Sequence, residues 1–203
     1  MDLEALYTSL DLLSRFGVTL NAEHRAALQT SFIILKTHMK FSRVLFWGKI
    51  FGLERDYYIA QGLGEDEIKD RKYFYSQDCI DWYLLPPATE TLIDEVAVAA
   101  KGRFMGDPSH KYEQGTMEKE EGGGFKVVKV SEEQRLAVTV FTIDQEAVVP
   151  KGAYIKKTFS DCVCTMQSLL WQGLTTFFEL PITKLQGYIY MGDGLPTFDL
   201  SFM

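Results

Sequence analysis

The sequence predicts an α+β fold, with a largely antiparallel sheet built from aromatic-rich hairpins and flanked by about four amphipathic helices. Apolar residues recur at helical spacing near the start, after residue 89 and after residue 131. Short runs rich in aromatic and β-branched residues separate them, as strands require. These segments are grouped, helices first, then strands, then a helix, then strands, whereas a parallel sheet demands strict alternation.

Asp2 can cap a first helix that carries Leu3, Leu6, Leu10 and Leu13 on one stripe, with Gly17 ending the connection after it. Asn21 is the next N-cap, Glu23 suits the first turn, and Leu28, Phe32, Leu35 and Met39 follow at helical spacing. An aromatic hairpin comes next. Val44, Phe46 and Ile50 are expected on one face of its first strand and Leu45, Trp47 and Phe51 on the other, so the strand is covered on both sides. After the polar break at 52–56, Tyr57, Tyr58 and Ile59 resume the strand pattern.

Residues 72–76 and 79–85 read as two further strands, stopped by Pro86-Pro87. Thr89 opens a helix through Leu92, Ile93, Val96 and Ala99, with Lys101 in its last turn and Gly102 at its C′ position. Residues 106–124 hold the least regular pattern, and 110–124 is expected to be a flexible acidic and glycine-rich loop. A strand over 125–130 leads into Ser131-Glu132-Glu133-Gln134, a capping box that opens a helix with Leu136, Val140, Ile143 and Ala147. Strands over 165–171, 174–180 and 187–191 complete the chain, with a turn at Asp193-Gly194. We expect a single domain over 1–203, with N-terminal helices within 1–40.

Composition bounds the function. The chain has 203 residues, 46% of them apolar and 13% aromatic, enough for a substantial core. Its formal charge is -7, from 28 acids against 21 bases. An acidic chain is poorly suited to sequence-independent nucleic-acid binding or to anionic membrane surfaces. No apolar run reaches the length needed to span a bilayer, and Met1-Asp2-Leu3-Glu4 lacks the basic n-region of a secretory leader. The Cys count is 3, and Cys162-Val163-Cys164 is poorly spaced for a disulfide, so a reducing compartment is expected.

Chemistry leaves no recognisable imprint. His24, His38 and His110 have no metal-ligand spacing, and two cysteines do not complete a tetrahedral site. Gly122-Gly123-Gly124 lacks the Lys-Ser/Thr of a phosphate loop, and Gly192-Asp193-Gly194 lacks a following helix. No catalytic, cofactor or metal residue is assigned, and no cofactor is expected. The aromatic residues Phe46, Trp47, Tyr57, Tyr58, Trp82, Phe104 and Trp171 are candidates for core or partner interface, core packing being the leading reading for Trp47. Glu118, Glu120 and Glu121 are candidates for exposed acidic contacts, or for a solvated tether with no contact.

Several long runs, taken together and in order, carry a resemblance. Arg43-Val44-Leu45-Phe46-Trp47-Gly48-Lys49-Ile50 with Asp56-Tyr57-Tyr58-Ile59-Ala60-Gln61-Gly62 resembles the hairpin of radial spoke head protein 9 homologues. The same holds for Trp82-Tyr83-Leu84-Leu85-Pro86-Pro87-Ala88-Thr89, for Lys101-Gly102-Arg103-Phe104-Met105-Gly106-Asp107-Pro108-Ser109, and for Ser168-Leu169-Leu170-Trp171-Gln172-Gly173-Leu174-Thr175. Val149-Pro150-Lys151-Gly152-Ala153 matches as well. The resemblance covers nearly all of residues 1–155 and 166–203. Members of this family are longer, and an internal segment near residues 156–165 has no counterpart here.

The resemblance implies a non-catalytic subunit of the radial spoke head, in the cytoskeletal axoneme of motile cilia or flagella. It implies a hetero-oligomer with the larger homologous scaffold subunits of the head, contact with central-pair projections, and a part in relaying mechanical signals to the dynein arms. Two other readings stand beside it. One is a non-catalytic cytoplasmic adaptor that docks through the hairpin. The other is a small enzyme that uses carboxylates or Cys79 in an unrecognised pocket.

Overall fold

The computed structural model describes residues 19–67, 69–117, 125–149, 151–152, 154–159, 163–179 and 186–194. Among them lie three helices: α1 (Ala22–Met39), α2 (Glu90–Ala99) and α3 (Glu132–Glu146). The first of the four expected helices falls on residues outside this set. Ten strands accompany them: β1 (Arg43–Ile50), β2 (Tyr57–Leu63), β3 (Arg71–Ser76), β4 (Tyr83–Leu84), β5 (Lys111–Met117), β6 (Phe125–Ser131), β7 (Tyr154–Phe159), β8 (Val163–Ser168), β9 (Leu174–Glu179) and β10 (Gln186–Gly192).

An 8-stranded sheet runs in the order β4-β3-β2-β1-β10-β9-β8-β7, and β5 and β6 form a separate two-stranded ribbon. Every pairing in the large sheet is antiparallel except β1 with β10. The sheet is therefore two antiparallel meanders joined at one parallel seam. β2 is buried along its whole length, as a central strand covered on both faces must be.

One face of the sheet is covered by α1. Leu28, Phe32 and Leu35 pack there against Val44, Phe46, Tyr58, Ala60, Phe74, Ile189 and Met191. Burying each phenylalanine of that set contributes on the order of 1.5–3 kcal/mol. Met39, expected on the same stripe, lies exposed at the helix end, where the chain has already turned away. Across the sheet, α3 lays Leu136, Val140 and Ile143 against Trp47, Ile50, Tyr57, Ile59, Tyr75 and Tyr190. Behind α3, α2 joins β6 through Leu92, Val96, Val130 and Val138.

The caps agree with the sequence. The Asn21 side chain accepts from the His24 N–H, and the Thr89 side chain accepts from that of Leu92. The box at α3 is reciprocal: Gln134 N–H donates to Ser131 Oγ at 3.3 Å and Ser131 N–H donates to Gln134 Oε1 at 2.9 Å.

Four expectations are corrected by the fold. First, the register of β1 against β2 shifts between Phe46 and Gly48, so Trp47 sits in a β-bulge. The extra residue inverts the alternation, and Ile50 joins Trp47 under α3 instead of Phe46 under α1. Gly48 permits this: at φ +156, a Cβ there would stand 2.0 Å from the Tyr190 carbonyl oxygen.

Second, residues 79–82 form a turn and only Tyr83–Leu84 pairs as strand. Ser76 Oγ accepts from the Asp78 and Cys79 N–H groups, and Asp78 Oδ1 accepts from those of Ile80 and Asp81. Side chains that capture backbone donors in this way compete directly with a ladder. Third, Lys111–Met117, expected within a flexible loop, is strand β5 paired along its length with β6. Its residues are mostly polar, so it shows no apolar alternation; the cross-strand ion pair Glu113–Lys129 at 2.8 Å helps set the register. Fourth, Tyr154–Phe159 forms a strand that the sequence reading did not contain, at the outer edge beside β8.

Candidate interaction surface

The aromatic candidates are distributed over the two faces of the sheet. Phe46 and Tyr58 belong to the α1 side, whereas Trp47, Tyr57, Phe104 and Trp171 belong to the α3 side, and all six are buried. Buried rings offer no surface to a partner. Trp82 is half-buried against Phe32, with ring centroids 5.2 Å apart, and its Nε1–H donates to Ser31 Oγ at 3.0 Å. The Ser31 hydroxyl in turn donates to the Cys79 carbonyl at 2.8 Å, tying the 76–82 turn to α1. Glu118, Glu120 and Glu121 lie outside the described residues.

Two carboxylates that the sequence reading passed over organise the α3 side. Glu132, at the first turn of α3, is 0% exposed. Its Oε1 accepts from Tyr57 OH at 2.6 Å, from Gly106 N–H at 2.6 Å and from Asp107 N–H at 3.1 Å. Its Oε2 accepts from Tyr112 OH at 2.5 Å and Met105 N–H at 2.8 Å. Burial pushes this carboxyl upward, but the hydroxyl and N–H donors outweigh it and hold the group below its ordinary range. Position at a helix N-terminus acts in the same direction.

Arg135 lies one turn further on and is 2% exposed. Its guanidinium lies 4.2 Å from the centroid of the Phe104 ring and 5.0 Å from that of Tyr112. It donates to the carbonyls of Gly102 and Arg103 and to Tyr112 OH. Glu132 and Arg135 thus clamp the 102–107 segment to α3. Gly106 fits this clamp at φ +93, because a Cβ would meet Arg55 backbone at 2.4 Å.

Asp144 fixes the other end of α3. Its carboxylate accepts from Arg71 at 2.7 Å, Tyr188 OH at 2.8 Å and Trp47 Nε1–H at 3.3 Å. Three strands, β1, β3 and β10, are thereby pinned to one helical residue. A sequence signal for both carboxylates existed. Glu132 precedes Leu136 by four positions and Asp144 follows Val140 by four, so each continues the buried stripe of α3.

These groups tie the elements of the fold together. Their partners are side chains of the sheet and of the ribbon, and backbone of the 102–107 segment. Burial, followed by the nearby Asp78 carboxylate, pushes the Cys79 thiol up to about 12, so its reactive thiolate is disfavoured. Among the described residues no cluster of three or more His, Cys, Asp or Glu side chains could hold a metal ion. No described helix is long and apolar enough to cross a membrane.

An accessible groove of about 590 Å³ lies on the α3 side. One wall is the start of β3 with Lys69, Arg71 and Lys72; a second is the strap Leu84–Pro87; the third is the flank of α3 at Phe141 and Asp144. Leu84 is 50% exposed and Phe141 39%, so two large apolar side chains stand open around one concavity. The walls are braced by the Arg71–Asp144 pair and by Leu85 N–H donating to the Tyr73 carbonyl at 2.9 Å.

Comparison with known proteins gives the family context. The family model described as radial spokehead-like protein matches residues 1–157. The chain is similar to proteins named radial spoke head protein 9 homolog from Danio rerio, at 42% identity, and from Mus musculus and Homo sapiens, at 35% each. Each alignment covers 100% of this chain and 100% of the relative. The first extends over 278 positions against 203 residues here, so a large part of that relative faces a gap in this chain.

Proposed function

The chain belongs to the radial spokehead-like protein family, and from that premise we propose that it is a structural subunit of the axonemal radial spoke head. It is a component of the radial spoke, placed in the axoneme of motile cilia or flagella and associated there with other spoke components. The observation that carries this reading is similarity along the whole chain to radial spoke head protein 9 homologues. The finer proposal is that it packs with larger homologous scaffold subunits. The head they form meets projections of the central microtubule pair and passes that contact on to the dynein arms.

The physical build suits such work. α3 is tied to the sheet at both ends through Glu132 and Asp144, and α1 closes the opposite face. A body braced in this way transmits a push with little internal yielding, because packed interiors have low compressibility. The buried polar groups are committed to bracing, which supports a role without catalysis. An acidic exterior favours contacts that are individually weak and readily broken at the ionic strength of the cell.

The test is removal of the chain from a motile-ciliated cell, followed by electron tomography of the axoneme and recording of the beat. Loss of spoke-head density with an altered waveform, both restored by the reintroduced chain, is expected. Intact heads and a normal waveform would overturn the proposal.

A further inference from the structure

We propose that β7, the outer edge of the large sheet, takes up an extended segment of another spoke polypeptide as an added strand, with an acidic residue of that segment opposite Lys156 and large apolar residues opposite Tyr154 and Ile155. This rests on the spoke-head reading above and names the mode of contact and the chemistry of one partner.

The two edges of the sheet differ in kind. β4 closes one edge with Tyr83 and Leu84 alone, and Pro86-Pro87 comes directly after Leu85. β7 forms the other edge with six residues, each paired with β8 and none with another described strand. Its outward N–H and C=O groups make no backbone bond among the described residues. Such a row is a template for a further strand. Apolar surface gathers at the same place. Tyr154 and Ile155 open β7, and Ser168 lies opposite Tyr154. The Ser168 hydroxyl donates to the Val148 carbonyl at 3.0 Å, and Leu169 and Leu170 follow it in the chain. Val148, Tyr154, Ile155, Leu169 and Leu170 are each between 37% and 54% exposed, so five large apolar side chains stand open at one end of one edge.

Charge decides which strand can add. Lys151 and Lys156 are exposed and take part in no ion pair among the described residues. Across the ladder Lys156 is opposite Met166 and Lys157 opposite Thr165, so β8 places no carboxylate there. A second copy of this chain is a poor occupant. Antiparallel pairing of β7 with itself over its whole length sets Lys156 opposite Lys157, and a slip of one residue sets one of these lysines opposite itself. Like charges directly opposite destabilise a ladder, whereas an acid opposite Lys156 turns the same position into an attraction. Lysine on an edge guards against indiscriminate pairing; beside open Tyr154 and Ile155 it selects the partner. Strand alternation then fixes the pattern of that partner. Lys156 stands in one row with Met166, Thr176 and Tyr188, whose hydroxyl meets Asp144 of α3. Tyr154 and Lys156 therefore lie on the α3 face, and Ile155 on the α1 face. The added segment carries an apolar residue and an acid two positions apart, as that period requires, with a second apolar residue between them.

The test places photoreactive benzoylphenylalanine at Tyr154 of the full chain and returns it to axonemes that lack this subunit. Cross-linked peptides are mapped by mass spectrometry, and the same group at Ile33, exposed on α1, serves as control. The expected result is an adduct at position 154, absent at 33, on a segment of another spoke polypeptide with an acid about two residues from the adduct. Moving the group to Lys156 should move the adduct about two residues along that same segment, as a strand ladder requires. With the group at 154, Lys156→Glu should lower the yield about fivefold and Lys156→Gln about twofold, and thermal melting checks that both variants remain folded. Incorporation into spokes without an adduct at 154 would overturn the inference. So would adducts on a segment without acids, on a second copy of this chain or on this chain's own residues 1–18 or 195–203. An adduct that stays in place when the group moves, or a yield indifferent to both lysine variants, would also overturn it. If the unaltered chain fails to enter spokes, the spoke-head reading fails and takes this inference with it; if it enters and only the cross-link is wrong, this inference fails alone.

Discussion

At the scale of single residues, the molecule depends on a few buried polar side chains whose partners are complete. Glu132 tolerates burial because hydroxyl and backbone donors replace the water it loses. Changing Glu132 to Ala would leave those donors stranded, and we expect a loss of about 3–5 kcal/mol in urea unfolding. Tyr112→Phe removes one donor to Glu132 and one acceptor for Arg135, with an expected cost of about 1–2 kcal/mol by the same measurement. The folded carboxyl of Glu132 sits below its unfolded value of roughly 4.3. Its contribution is therefore present above that pH and is lost as pH falls through the lower folded value. In Glu132→Gln the acid limb of the stability profile should flatten; an unchanged limb would exclude this linkage. Gly48→Ala forces a methyl into the Tyr190 carbonyl, and the overpacking should cost at least about 2 kcal/mol.

At the scale of elements, local chemistry sets where helices begin and tertiary pairing sets which extended segments become strands. Ser131→Ala should lower stability by about 1 kcal/mol through loss of the reciprocal cap of α3. Lys40 closes α1 in the left-handed region at φ 56, where a side chain is strained. Lys40→Gly is therefore expected to raise the unfolding midpoint, by about 0.5 kcal/mol after the extra unfolded-state entropy of glycine is offset. The three described helices were legible because caps and stripes are encoded within one stretch of chain. β5 was not legible, because Glu113 and Lys129 meet only across the ribbon. The strand expected over 79–85 was shortened because Ser76 and Asp78 take the donors a ladder needs, which reads as polar punctuation but not as a particular turn.

At the scale of the whole molecule, buried hydroxyls and a buried thiol make the fold sensitive to alkali. Burial first, then neighbouring carboxylates, raises Tyr57, Tyr73, Tyr75 and Tyr188, while Tyr112, Tyr190 and Cys79 are each pushed up to about 12. A raised folded value means that the native state keeps a proton the unfolded chain gives up. The contribution is complete below the unfolded values, roughly 8.5 for Cys and 10 for Tyr, and is lost as pH rises toward the folded values. Denaturation midpoints should thus fall steeply between about pH 9 and 12, with a rise across that range contradicting the assignment.

The sequence by itself determined the helix starts, the aromatic strands, the family resemblance and the mixed α and β character. Each of these is written in nearest neighbours or in periods of two and of three to four residues. Only the tertiary structure decided that Trp47 bulges and moves Ile50 to the opposite face. It alone showed that the carboxylates of Glu132 and Asp144 are buried ties and that Arg71, Leu84 and Phe141 line one groove. The physical reason is distance along the chain. A carboxylate finds its hydroxyl, and a groove its walls, only after segments tens of residues apart have packed, and no local pattern records which of them will meet.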